Sequence, residues 1–97
     1  MTVYAIFNYD VRDEDEYARY QSEAGRTMRD LNFQVLALDS ATTHLEGDPA
    51  GHQTVLLAFD SEEAFRDWYD APGYQAAIPI RRGATSPTLS MLVKGRD

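Results

Sequence analysis

The segment from Thr54 to Arg82 leaves this chain the fewest choices. Thr54 to Phe59 is an unbroken apolar run of strand length, and Asp60 and Ser61 behind it are both suited to cap a helix. The amphipathic stretch after them carries Phe65 and Trp68, and it must stop near Ala71, because Pro72 and Gly73 are poor continuations of a helix. A short aromatic segment through Tyr74 is then predicted to end at Pro79, with Arg81 and Arg82 beyond it. No catalytic motif stands in this stretch. It dictates a strand, a helix and a return.

The rest of the chain supplies the partners. Val3 to Tyr9 is a strand by its β-formers, and Asp10 ends it. Asp13 followed by Glu16 has the pattern of a capping box, and Glu14 and Asp15 add negative charge where a helix N-terminus favours it. Tyr17, Tyr20, Ala24, Met28 and Leu31 recur at helical spacing and share one face, opposite Arg19, Glu23, Arg26 and Arg29. Gly25 inside this helix costs about 1 kcal/mol relative to alanine. Phe33 to Asp39 reads as a second strand, resumed at Thr42 to Glu46 after an irregular step at Ser40 and Ala41. Gly47 to Gly51 is a turn, so the strand from Thr54 returns antiparallel to the second. Gly83 to Pro87 is a predicted loop, and Thr88 to Lys94 the last strand.

The order is therefore βαββαβ in a single domain over residues 1–97. Right-handed crossovers fold that order into a ferredoxin-like α+β architecture, a four-stranded antiparallel sheet with two helices on one face. Parity divides the strand residues. Val3, Phe7, Phe33, Val35, Val55, Leu57, Phe59, Leu89, Met91 and Val93 form the bulkier set and are assigned to the helix side. Tyr4, Ile6, Leu36, Leu38, Leu56 and Leu92 fall on the other side, among Asn8, Asp10, Gln34, Thr54 and Ser90. A sheet face left to water alternates apolar with polar. This one does not, and a second copy covering ~700 Å² per subunit would suit it. The expectation is a homodimer held through its sheets.

Composition narrows the partners. A chain of 97 residues buries only about 60–65% of its unfolded surface, so a second subunit would help it. There is no cysteine, which removes disulfides and thiol chemistry. Sixteen acidic residues against nine basic ones repel a phosphate backbone, so no nucleic acid is expected. No stretch reaches membrane-spanning length and no basic leader opens the chain, which makes a cytoplasmic protein without a membrane partner the default.

Particular residues carry a resemblance. Asp13, Tyr17 and Tyr20 after the first strand, Leu45-Glu46-Gly47-Asp48, and above all Trp68-Tyr69-Asp70-Ala71-Pro72-Gly73-Tyr74-Gln75 running to Pro79-Ile80-Arg81 resemble the DUF1330 family across nearly the whole chain. That family is similar to the dimeric α+β barrel proteins, which implies this fold and a sheet-to-sheet dimer. Gly25 stands where the family often has proline, and Asp39-Ser40 where paired glycines are common. Asn8 and Trp68 also resemble two members of an Asn, Trp and His set in haem-degrading relatives. No histidine follows Trp68, so no haem or other cofactor is expected.

The candidate chemistry lies in aromatic, guanidinium and imidazole groups. Tyr17, Tyr20, Trp68, Tyr69 and Tyr74 either line a pocket for a small flat ligand or pack as core, and the sequence leaves both readings open. Arg81 and Arg82 suit a carboxylate, either a ligand's or that of a strand residue such as Asp10. His44 and His52 are the only histidines. His44, placed on a strand, is the candidate base, whereas His52 beside the turn is expected to face solvent. No spacing suggests a metal site. The reading is a small-molecule pocket between sheet and helices, with Tyr17, Tyr74, Arg81 and His44 as catalytic candidates and Asn8, Tyr20, Trp68 and Tyr69 as ligand contacts. It serves a cofactor-free enzyme of monooxygenase, isomerase or decarboxylase type on a small aromatic or carboxylate substrate. The alternative is a non-catalytic binding or sensing module.

Overall fold

The computed structural model describes residues 1–29 and 31–97. Its elements run β1 (Val3–Tyr9), α1 (Glu14–Met28), β2 (Phe33–Asp39), β3 (Gln53–Phe59), α2 (Glu62–Tyr69), α3 (Pro72–Ala84) and β4 (Leu89–Lys94). The four strands form one antiparallel sheet in the order β2-β3-β1-β4, the ferredoxin-like arrangement.

Local chemistry explains the boundaries. Asp13 caps α1, its carboxylate accepting from the Glu16 amide at 3.1 Å, and Ser61 caps α2 by accepting from the Ala64 amide at 3.0 Å. The reciprocal half of the capping box is not made. Glu16 pairs instead with Arg19, and the Asp13 amide donates to the Ala84 carbonyl at 3.1 Å.

The largest departure from expectation is α3. Pro72 does end α2, but it also opens a new helix at its first position, where a missing amide hydrogen costs nothing. That helix runs through Pro79 to Ala84, across residues expected to form an aromatic tail and then a loop. Burial overrides the proline: Tyr74, Ala77, Ile78, Arg81 and Ala84 recur every three or four residues and all face the interior. Thr42 to Glu46, expected as strand, is irregular, and Leu31 lies beyond α1 and is exposed.

Register corrects the assignment of faces. Paired residues share a face, and Val3, Ala5, Phe7 and Tyr9 of β1 are buried under the helices. Phe7 pairs with Ser90, and Ala5 with Leu92. Ser90 and Leu92 therefore lie on the helix side, while Leu89, Met91 and Val93 join Tyr4, Ile6 and Asn8 on the open face, opposite to the parity reading. A bulge between Val35 and Ala37 turns Leu38 to the helix side, opposite Val55. The open face still carries Tyr4, Ile6, Leu56, Leu89, Met91 and Val93, as many apolar residues as expected though not the same ones, with Met91 at 47% exposure in the single chain.

Candidate functional site

Three helices do not reach both margins of a four-stranded sheet, and each margin keeps a cleft. One lies between α1 and the β2–β3 side. Its polar end, about 440 Å³, is lined by Asp10, Glu14, Tyr17, Gln21, Ser40 and His52 among others. Its apolar end, about 170 Å³, shares Tyr17 and Gln21 and continues along Tyr20, Met28, Val35 and Leu38. Gly25 also lines that apolar wall. A Cβ built at Gly25 meets nothing within 4 Å, so the glycine leaves space there.

Two pairs of phenols stand behind this cleft. Tyr9 and Tyr17 share a 2.7 Å hydrogen bond, as do Tyr20 and Tyr74. Arg81 donates to the Tyr74 oxygen at 2.9 Å and so ties the second pair to a guanidinium. Either phenol of that pair can be the donor, and Tyr20 lines the cleft. Burial pushes the Tyr9 and Tyr74 phenols far above the ordinary tyrosine value and raises that of Tyr17. These groups are donors at physiological pH, not bases.

The polar end of the cleft also holds an imidazole. His52 is exposed, as expected, yet both its amide (2.9 Å) and its Nδ1 (3.0 Å) reach Asp10 Oδ1. With Nδ1 donating, Nε2 keeps the lone pair. These two bonds hold the Asp10 carboxyl below its usual range. The pairing joins positions far apart in sequence through a close backbone approach: a Cβ on Gly51 would collide with the backbone of Tyr9 and Asp10, so only glycine fits.

The other candidates separate. Asn8 is spent on structure, its amide joined to Gly51, Gln53 and Thr54 on the open face. His44 lies in the irregular segment, not on a strand, and its Nε2 bonds the Gly51 carbonyl at 3.1 Å. Trp68 is core, 1% exposed, with its indole donating to Thr27 and its ring 4.1 Å from that of Tyr74. Asp10, engaged by His52, forms no ion pair with Arg81. Tyr69 and Arg81 line the second cleft, on the β4 side.

The sheet order and the helices packed on one face define a ferredoxin-like α+β protein. The sequence matches "Domain of unknown function (DUF1330)" over residues 2–96, and the chain belongs to that family. No curated protein matches it. Among solved structures, RPA0582 of Rhodopseudomonas palustris, a protein of unknown function, is similar at 17% identity and TM-score 0.79, over 99% of this chain and 83% of that one. A dimeric ferredoxin-like protein of unknown function from Thermobifida fusca is similar at 16% identity and TM-score 0.68, over 98% and 92%. SnoaB, a cofactor-independent oxygenase from Streptomyces nogalater, is similar at 18% identity and TM-score 0.60, over 99% and 94%. At these identities the likeness is one of fold.

Proposed function

We propose that the protein is a homodimeric enzyme that needs no cofactor and starts its reaction by taking a proton from a small aromatic substrate held between α1 and the sheet. The observation that carries this reading is the continuity of the cleft. One end is apolar and flat-walled, and the other holds an imidazole oriented by a carboxylate beside a phenol donor. His52 Nε2 accepts a phenolic O–H or activated C–H proton, Asp10 stabilises the imidazolium, and Tyr17 and Tyr20 donate to the oxyanion that forms. The fate of the deprotonated substrate, whether oxygenation, isomerisation or loss of carbon dioxide, is set by its own structure. SnoaB, on a similar fold, is a cofactor-independent oxygenase, which supports the first of these.

The dimer belongs to the same reading. The open sheet face is apolar across β1, β3 and β4, and the T. fusca protein of similar fold is dimeric. A twin against that face leaves both helix-side clefts accessible.

The enzyme reading is tested by screening phenolic and keto-acid substrates for turnover with wild type, His52→Asn and Tyr17→Phe. His52→Asn should lower kcat at least about 100-fold, the scale of general-base catalysis, and abolish the lower limb of the pH–rate profile. Turnover that persists in His52→Asn with an unchanged pH profile removes the base from this assignment.

A further inference from the structure

The cleft on the β4 side carries different chemistry and stands apart from the reading of the first cleft. It measures about 420 Å³ and is lined by Tyr69, Arg81, Arg82, Thr88 and Ser90 among others. Arg81 is 3% exposed, and among the described residues it forms no ion pair, although Arg19, Arg26 and Arg66 on the surface each have a carboxylate. Its Nη1 donates to the Tyr74 phenol, and Nε, closed off from water, has no partner among the described residues. The rings of Phe7 and Tyr20, 5.7 and 5.9 Å away, face the guanidinium but do not neutralise it. A buried cation with an unused donor carries a desolvation cost that an anion would offset.

The neighbouring polar groups sharpen the point, because those already engaged can be subtracted. Thr85 Oγ1 bonds the Arg81 carbonyl at 2.9 Å, and Ser86 Oγ accepts from the Asp10 amide at 2.8 Å. Thr88 Oγ1 is buried with no partner. What remains around the cavity is the exposed Arg82 head and the Tyr69 and Ser90 hydroxyls, with Arg81 Nε and the Thr88 hydroxyl buried in its wall. All of them can donate, and no carboxylate stands among them. A second cavity of about 180 Å³ shares Tyr69 and Ser90 and continues along Phe65, Phe7 and Leu92.

We propose that this cleft is a binding site for a small organic carboxylate, its charged end held by Arg81 and Arg82 and its apolar body laid along Tyr69, Phe65 and Leu92. The planar guanidinium offers a two-pronged edge that matches a carboxylate. The apolar extension selects for a carbon skeleton over a bare inorganic anion. The site also adjoins the first cleft through one group, since Arg81 polarises the Tyr74–Tyr20 pair from behind. An anion on Arg81 competes with Tyr74 for its charge.

Calorimetric titration with benzoate, acetate, inorganic phosphate and uncharged benzamide tests this, supported by the side-chain Nε–H resonance of Arg81. Benzoate should bind saturably, at least about fivefold tighter than acetate, and shift that resonance, while benzamide should not bind. Arg82→Gln, a change at an exposed position that leaves the fold intact, should weaken benzoate about tenfold, and Thr88→Val by a smaller factor. His52→Asn should bind benzoate as wild type does, so failure of the enzyme reading leaves this result standing. Benzamide binding as well as benzoate, affinity unchanged in Arg82→Gln, or no saturation by any of the anions would overturn the site. Phosphate binding with no preference for benzoate would overturn the carboxylate assignment.

Discussion

At the scale of single residues, the interior is unusual in how many phenols it closes off from water. Tyr9 and Tyr74 are 1% exposed and Tyr17 8%, each in a short phenol–phenol bond. Their pKa values are raised, so the stabilising contribution is fully present below the unfolded value near 10 and is lost as pH rises through the folded values. Stability should therefore fall steadily above about pH 10. Absorbance at 295 nm should show these three phenols ionising only in step with loss of secondary structure. Phenolate appearing for all tyrosines near pH 10 with the fold intact would contradict their burial. Arg81 was legible in the sequence as a group suited to a carboxylate, but that it forms no ion pair among the described residues was not. His52 was set aside there as an exposed turn residue. Its bond to Asp10 depends on Gly51 touching the end of β1, and tight backbone contact between distant segments leaves no local signature beyond the glycine itself.

At the scale of elements, β1, β2 and the cap positions Asp13 and Ser61 follow directly from apolar runs and side-chain oxygens, which are local signals. The missed element is α3. Pro79 was read as a stop, yet the spacing of Tyr74, Ala77, Ile78, Arg81 and Ala84 continues the helical period straight past it. The face of β4 was inverted because parity within a strand does not say which parity points inward. Only its pairing with β1 does, and the irregular segment before it sets that pairing. Helix α1 yields a prediction of its own. Gly25 has no left-handed backbone and open space where a side chain would go, so the backbone does not require glycine. Gly25→Ala should stabilise the protein by about 0.5–1 kcal/mol in urea unfolding, the difference in helix propensity. A loss of stability would mean that the helix wall has no room for a methyl group.

At the scale of the whole molecule, the sheet divides the work. Its helix side holds the core and two marginal clefts, and its open side leaves Leu89, Met91 and Val93 exposed in the single chain. Sedimentation equilibrium should give a dimer at micromolar concentration for wild type and a monomer for Met91→Glu, which places a charge on the apolar open face. A wild-type monomer would rule out the twin. The fold was legible because hydrophobic runs and turns are written locally. The site was only half legible, because its polar end is assembled by the hairpin closing on β1. The cleft between α1 and the sheet is the central claim, and titration of an uncharged aromatic probe, 1-naphthol, followed by methyl resonances tests it most directly. Shifts should saturate and concentrate on Met28, Val35 and Leu38, and Gly25→Leu should abolish them while the protein stays folded. Shifts confined to Leu89, Met91 and Val93, or unchanged in Gly25→Leu, would contradict it.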